Sequence, residues 1–223
     1  MTASASATTC LVHQAASLLL HHPDTDWSAR LELVERELEH LPGPPDRSVH
    51  LLRTFCRAVR GTPVLDLSAR YVTTFDRSRR RTLHLTYYTD GDTRRRGASL
   101  LRWRQLYATH GWQPPADELP DFLPLALEFA ARCPEPGRRA LRDHRAALEL
   151  LRLALHDHHS PYADVVEAVC HSLPGASPAD RAAALRLVRT GPPAESVGLL
   201  PPPSFPPGAR PAPDVPLLRE NPR

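Results

Sequence analysis

Apolar residues return every three or four positions along most of this chain, a period that admits helices and little else. Trp27, Leu31, Val34, Leu38 and Leu41 follow one another at helical spacing behind Asp26, with Glu32, Glu35, Arg36 and Glu39 on the other faces. Such a stripe has to be buried, so the segment reads as an amphipathic helix with Asp26 as N-cap, closed by Pro42-Gly43-Pro44-Pro45. Asp46 is placed to cap the next helix, whose stripe is Val49, Leu52, Cys56 and Val59 and which Gly61 ends. A third starts near Pro63 and carries Leu67, Tyr71 and Phe75. Leu100, Trp103 and Tyr107 mark another, Phe122, Leu125 and Phe129 the next, and Leu141, Leu148, Leu151 and Leu155 a long one. Two more lie around Val165 to Leu173 and Ala179 to Val188. About eight or nine helices and at most one short strand-like run predict an all-α fold, a single-domain globular helical bundle. No repeat at a fixed period is present, which argues against a solenoid.

The chain has 223 residues, 41% of them hydrophobic and 24% charged, ordinary values for a body that folds on its own around one core. Proline is less evenly spread. Of 25 prolines, 11 follow Gly191, where they remove backbone donors and block helix and sheet alike. The expected organisation is therefore an all-helical domain over residues 1–190 and a disordered, Pro-rich tail over 191–223.

Cys10, Cys56, Cys133 and Cys170 form no CxxC pair and meet no histidine at zinc-finger spacing, so neither a zinc site nor a redox motif is expected. Buried, reduced thiols in a cytoplasmic protein are the simplest account. The N-terminus lacks the basic start of a secretion signal, and no run of about 18 apolar residues exists to insert into a membrane. A net charge of +3 is too small to demand nucleic acid.

One stretch departs from this plain helical pattern. From Tyr71 to Gly97 the chain reads YVTTFDRSRRRTLHLTYYTDGDTRRRG, in which Arg77, Arg79, Arg80, Arg81, Arg94, Arg95 and Arg96 and the aspartates Asp76, Asp90 and Asp92 bracket an aromatic, hydroxyl-rich run. Asp90-Gly91-Asp92 resembles the opening of a calcium loop, but the arginines beyond it offer no further oxygen ligands. A turn at Gly91 with Asp92 capping the next helix is the structural reading. Arg94, Arg95 and Arg96 then fall in a first helical turn, where the dipole disfavours cations, so at least one should fold back to Asp90 or Asp92 while another faces solvent or an external anion. His156, His158 and His159 do not share a helical face as a ligand set would, and sit better as cations at a helix C-terminus. No phosphate-binding glycine loop, nucleophile elbow or zinc-protease motif occurs, so no catalytic residue is assigned.

Taken together, YVTTFD, LHLTYYTDGDTRRRG, LLRWRQLYATHGW and DELPDFLPLALEFAA resemble the NarJ-type family, the delta-subunit chaperones of respiratory nitrate reductase. The likeness runs from about His21 to Gly191 and is most specific between Tyr71 and Ala131. It implies a cytoplasmic, all-helical, non-catalytic protein. Its partner would be the catalytic alpha subunit of nitrate reductase, recognised through an N-terminal segment and held competent to receive molybdopterin guanine dinucleotide. The chaperone itself would hold no cofactor or metal stably.

More distantly, the chain is similar to the wider group of chaperones for molybdoenzymes exported by the twin-arginine route. An aromatic pair and a Pro-Asp-His element line the peptide groove there; Tyr71 and Phe75 match the first, Pro120 and Asp121 the second, and Phe122 stands in place of the histidine. Candidates for the partner-peptide surface are thus Tyr71, Phe75, Tyr87, Tyr88, Trp103 and Phe122 as exposed apolar anchors, with Pro120 and Asp121 beside them and Asp90, Asp92, Arg94, Arg95 and Arg96 setting register. The rival readings are a nucleotide- or anion-binding protein using Asp90 to Arg96, and an arginine-driven nucleic-acid binder.

Overall fold

The N-terminal segment, which carries no clear helical stripe, forms the longest helix. In the computed structural model, which describes residues 3–41 and 46–189, α1 runs Ala3–Leu20. It buries Val12, Ala15, Ala16, Leu19 and Leu20, and with them His13 and Ser17. Helix α7 (Leu123–Arg132) packs along it most extensively, followed by α10 (Tyr162–Ser172), α2 (Trp27–Glu39) and α3 (Arg47–Val59). A helix surrounded in this way has no polar face to give it a period, which is why periodicity does not reveal it.

The remaining elements are α4 (Val64–Tyr71), a π-helical turn (Val72–Asp76), α5 (Tyr87–Asp90), α6 (Arg94–Thr109), α8 (Pro134–Asp143), α9 (Arg145–Asp157) and α11 (Arg181–Arg189). The described residues thus form an all-α fold of eleven α-helices, against about eight or nine expected. The added elements are α1, the single turn α5, and α8, which His144 separates from α9. His144 is at φ −102 and ψ 16, and its ring Nδ1 lies 2.9 Å from the Ala140 carbonyl oxygen, a local break that neither Pro nor Gly announces. The tail at 191–223 and the Pro42–Pro45 link lie outside the described residues.

The caps divide. Asp46 accepts from the Val49 N–H at 2.9 Å, as expected of an N-cap. Asp26 occupies the cap position of α2 without a side-chain cap bond, because its backbone, at φ −91 and ψ 0, is not in the extended conformation that Asp46 adopts; its own N–H donates to Asp24 Oδ1 at 3.0 Å. Val49, Leu52, Cys56 and Val59 are all buried, and α3 presses them chiefly against α10. All four cysteines are free thiols, with Cys56 and Cys170 buried and Cys10 and Cys133 half-buried. Among the described residues no helix is long and apolar enough to cross a membrane.

Candidate functional site

Tyr71 and Phe75 are four residues apart, and the π-helical turn that begins at Val72 keeps them on one side, with ring centroids 4.7 Å apart. The wide turn closes through the Arg77 N–H, which donates to the Val72 carbonyl at 3.1 Å. Both rings are buried, at 4% exposure each, and Tyr71 Oη donates to the Leu20 carbonyl at 3.0 Å. Their outer edges reach a cleft of about 450 Å³.

The opposite wall of this cleft comes from the strand-like run. Leu83 and Leu85 point into the core while His84 between them is half-buried, an alternation of period two. The Leu85 N–H donates to the Asp121 carbonyl at 3.1 Å and the Leu123 N–H to the Leu83 carbonyl at 2.8 Å, so that His84 and Phe122 form an antiparallel bridge. Their rings lie 5.6 Å apart and both line the cleft, which Tyr87, Asp92, Arg79 and Arg96 border as well, together with Asp76, Ser78, Thr82 and Leu83.

Asp121 fixes this arrangement from below. Its carboxylate is fully buried and accepts from the Thr86 N–H at 3.1 Å and Thr86 Oγ1 at 2.6 Å. The same carboxylate lies 3.2 Å from His84 Nδ1 and 3.8 Å from an Arg96 guanidinium nitrogen. Burial pushes the Asp121 carboxyl up, but the hydrogen bonds from His84 and Thr86 outweigh it and hold the group below the usual carboxylate range. A buried, ionised aspartate with this many donors is a structural clamp.

The turn before α6 differs from the sequence expectation. Gly91 takes φ +57 and ψ −149, a conformation open essentially to glycine alone, as a turn there requires. Asp92, however, is not the N-cap. Thr93 holds that position, with no side-chain cap bond, and its hydroxyl donates back to the Asp90 carbonyl at 2.8 Å. Asp92 instead stands between two guanidinium groups, Arg79 at 3.8 Å and Arg96 at 4.0 Å. Arg96 is the arginine that folds back; it also donates to Thr86 Oγ1 at 3.3 Å and lies 6.0 Å from the Tyr87 ring. Arg94 and Arg95 are exposed.

The thirteen sequence-predicted residues therefore separate. Tyr71, Phe75, Tyr87, Asp92, Arg96 and Phe122 converge on the one cleft. Trp103 is buried against Tyr107 and His144 and borders a different cleft, of about 430 Å³, together with Asp90, whose carboxylate accepts from Ser99 Oγ at 2.5 Å. Pro120 is buried, and its carbonyl accepts from Tyr107 Oη at 2.7 Å. Tyr88 is half-buried, with its hydroxyl donating to the Arg80 and Thr82 carbonyls at 3.1 and 3.0 Å. Tyr71, Phe75 and Trp103 are thus not exposed anchors: each large ring gains more by packing in the core than by waiting at the surface. Sequence reasoning missed His84, whose signal was the alternation Leu83, His84, Leu85, and Thr86, which breaks that alternation; Arg79 was noted among the bracketing arginines but not as a site residue.

Elsewhere, His156 pairs with Glu167 at 2.7 Å rather than serving only a helix end, and Arg47 reaches the same carboxylate at 2.8 Å. No cluster of His, Cys, Asp and Glu among the described residues is arranged to hold a metal ion.

The described residues thus form a helical body with an aromatic cleft rimmed by charges. The chain belongs to the nitrate reductase delta subunit family, whose pattern matches residues 40–168. It is 43% identical over 163 residues to the nitrate reductase-like protein NarX of Mycobacterium tuberculosis, a match covering 73% of this chain and 24% of NarX, so the chain spans about a quarter of that relative. It is 31% identical over 164 residues to the probable nitrate reductase molybdenum cofactor assembly chaperone NarJ of Bacillus subtilis, covering 73% of this chain and 88% of that one. The corresponding Escherichia coli chaperone NarJ is 34% identical over 149 residues, 66% of this chain and 63% of its own.

Proposed function

We propose that this protein is a non-catalytic assembly chaperone for a respiratory nitrate reductase. It binds the catalytic alpha subunit before cofactor insertion, engages the N-terminal segment of that subunit, and keeps it open to molybdopterin guanine dinucleotide without holding the cofactor itself. The work is done in the cytoplasm, before the enzyme reaches its membrane partner. The observation that carries the reading is the match to a NarJ chaperone over 88% of that protein's length, which leaves little of it outside the resemblance. The cleft adds a physical reason. Half-buried Phe122 and Tyr87 over the edges of Tyr71 and Phe75 suit the apolar face of a short helix, and Asp92, Arg79 and Arg96 can set its register.

Deletion of the gene tests the function directly. The catalytic subunit should then accumulate without molybdenum, and tagged protein should capture the apo subunit from cells that cannot make the cofactor. Calorimetry with a peptide copied from the subunit's N-terminus should show binding with a negative heat-capacity change, from apolar burial. Full molybdenum loading in the deletion strain would overturn the proposal.

A further inference from the structure

Seven arginines against three aspartates put residues 76–96 at +4, more than the +3 of the whole chain, so everything outside this stretch is slightly acidic in sum. The fold concentrates that charge instead of dispersing it. Arg79 and Arg96 share one carboxylate, Asp92, and this brings the loop after the π-helical turn against the first turn of α6. Arg77, Arg79, Arg80, Arg94 and Arg95 are all exposed. Among the described residues, Arg77, Arg80, Arg94 and Arg95 make no ion pair; Asp90 is engaged by Ser99 and Asp121 by His84, Thr86 and Arg96, while Asp76 stands exposed at the cleft. Arg94 and Arg95 stand where the helix dipole already repels cations, so their placement weakens the protein when it is alone. Guanidinium groups so placed match carboxylates in bidentate geometry.

We propose that this arginine rim reads acidic side chains: the polypeptide that enters the neighbouring cleft carries carboxylates beside its apolar residues, and these pair with Arg79, Arg94 and Arg95. The inference rests on the cleft being a polypeptide site. A polypeptide fits better than a small anion because the arginines are exposed and spread over two segments, Arg79 within the cleft and Arg94 and Arg95 in the two positions before the cleft-lining Arg96, while Tyr87 and Phe122 in the cleft supply the apolar half of the contact. Charge complementarity of this kind sets partner choice and encounter rate more than bulk affinity.

The test uses the full chain and two synthetic amphipathic peptides, one with Leu and Phe on one face and Glu on the other, the second with Gln at every Glu. The Glu peptide should bind about ten-fold more tightly at low salt, with the advantage shrinking as ionic strength rises. R94E/R95E should abolish the preference, whereas R57E, at an exposed arginine on α3, should keep it. Circular dichroism monitors folding, and R79E serves as second variant should the double one unfold. Equal binding of the two peptides, binding of neither, or an equal effect of R57E overturns the inference. If R94E/R95E changes nothing while apo catalytic subunit is still captured, the rim reading alone fails. If the Glu preference holds but no apo subunit is captured, the chaperone reading alone fails.

Discussion

Two buried carboxylates, Asp121 and Glu149, are both fully buried and both served by arginine, yet they are put to different use. Glu149 on α9 is held by Arg145 at 3.1 Å, Arg152 at 2.8 Å and Ser177 at 2.7 Å. Its two arginines direct their other donors to the carbonyls of Leu173, Pro174, Gly175 and Pro178, so the whole cluster staples α9 to the loop before α11. Asp121 is held by His84, Thr86 and Arg96, and two of those, His84 and Arg96, also line the cleft. The same chemical device closes inward at one site and ends in a binding surface at the other. Stability and recognition should therefore separate at Glu149 and remain coupled at Asp121.

The strongest way to break this comparison is Glu149→Ala. Leaving Arg145 and Arg152 without their carboxylate should cost about 3–5 kcal/mol in thermal unfolding, with peptide affinity per folded molecule unchanged; a loss of affinity would show that the two regions are not independent. Asp121→Asn should cost less, about 1–3 kcal/mol, because the amide keeps some of the hydrogen bonds, but it should also weaken peptide binding. Unchanged affinity after correction for the folded fraction would reduce Asp121 to a second internal staple.

Acid unfolding sharpens the contrast further. Burial and the nearby Arg138 hold His13 down to about 4, so its stabilising contribution is complete above the unfolded value near 6.5 and drains away between there and about 4. Asp121, depressed by its donors, contributes above the ordinary carboxylate range, and that contribution is lost only as pH falls further through its folded value. Asp121→Asn should thus leave the first limb of a stability–pH curve intact and flatten the second. The smallest effect expected is a gain: Arg94→Ala with Arg95→Ala removes two cations from a helix N-terminus and should raise stability by up to about 1 kcal/mol, while lowering any preference for acidic peptides.

Local patterns were legible where both partners lay close in sequence. The α3 stripe and the Asp46 cap could be read directly, as could the spacing of Tyr71 and Phe75, although not that both rings would be buried. Asp121 could be picked out by resemblance, but not its role, since His84 and Thr86 lie 37 and 35 residues away. Asp92 illustrates the opposite failure. Its residue type suits a cap, yet the helix begins one residue later, at Arg94, so Thr93 takes the cap position and the exposed aspartate is left facing Arg79 and Arg96.

The π-helical turn between Tyr71 and Arg77 holds one residue more than an α-turn would. Chain length in that segment, and not only the identity of its side chains, is therefore under constraint. Removing Thr73 or Thr74 would restore ordinary helical phase and swing the downstream chain by about 100°. The aromatic pair and the arginine-bearing loop would then lose their common side, and a deletion that spares every contact residue would still unmake the cleft.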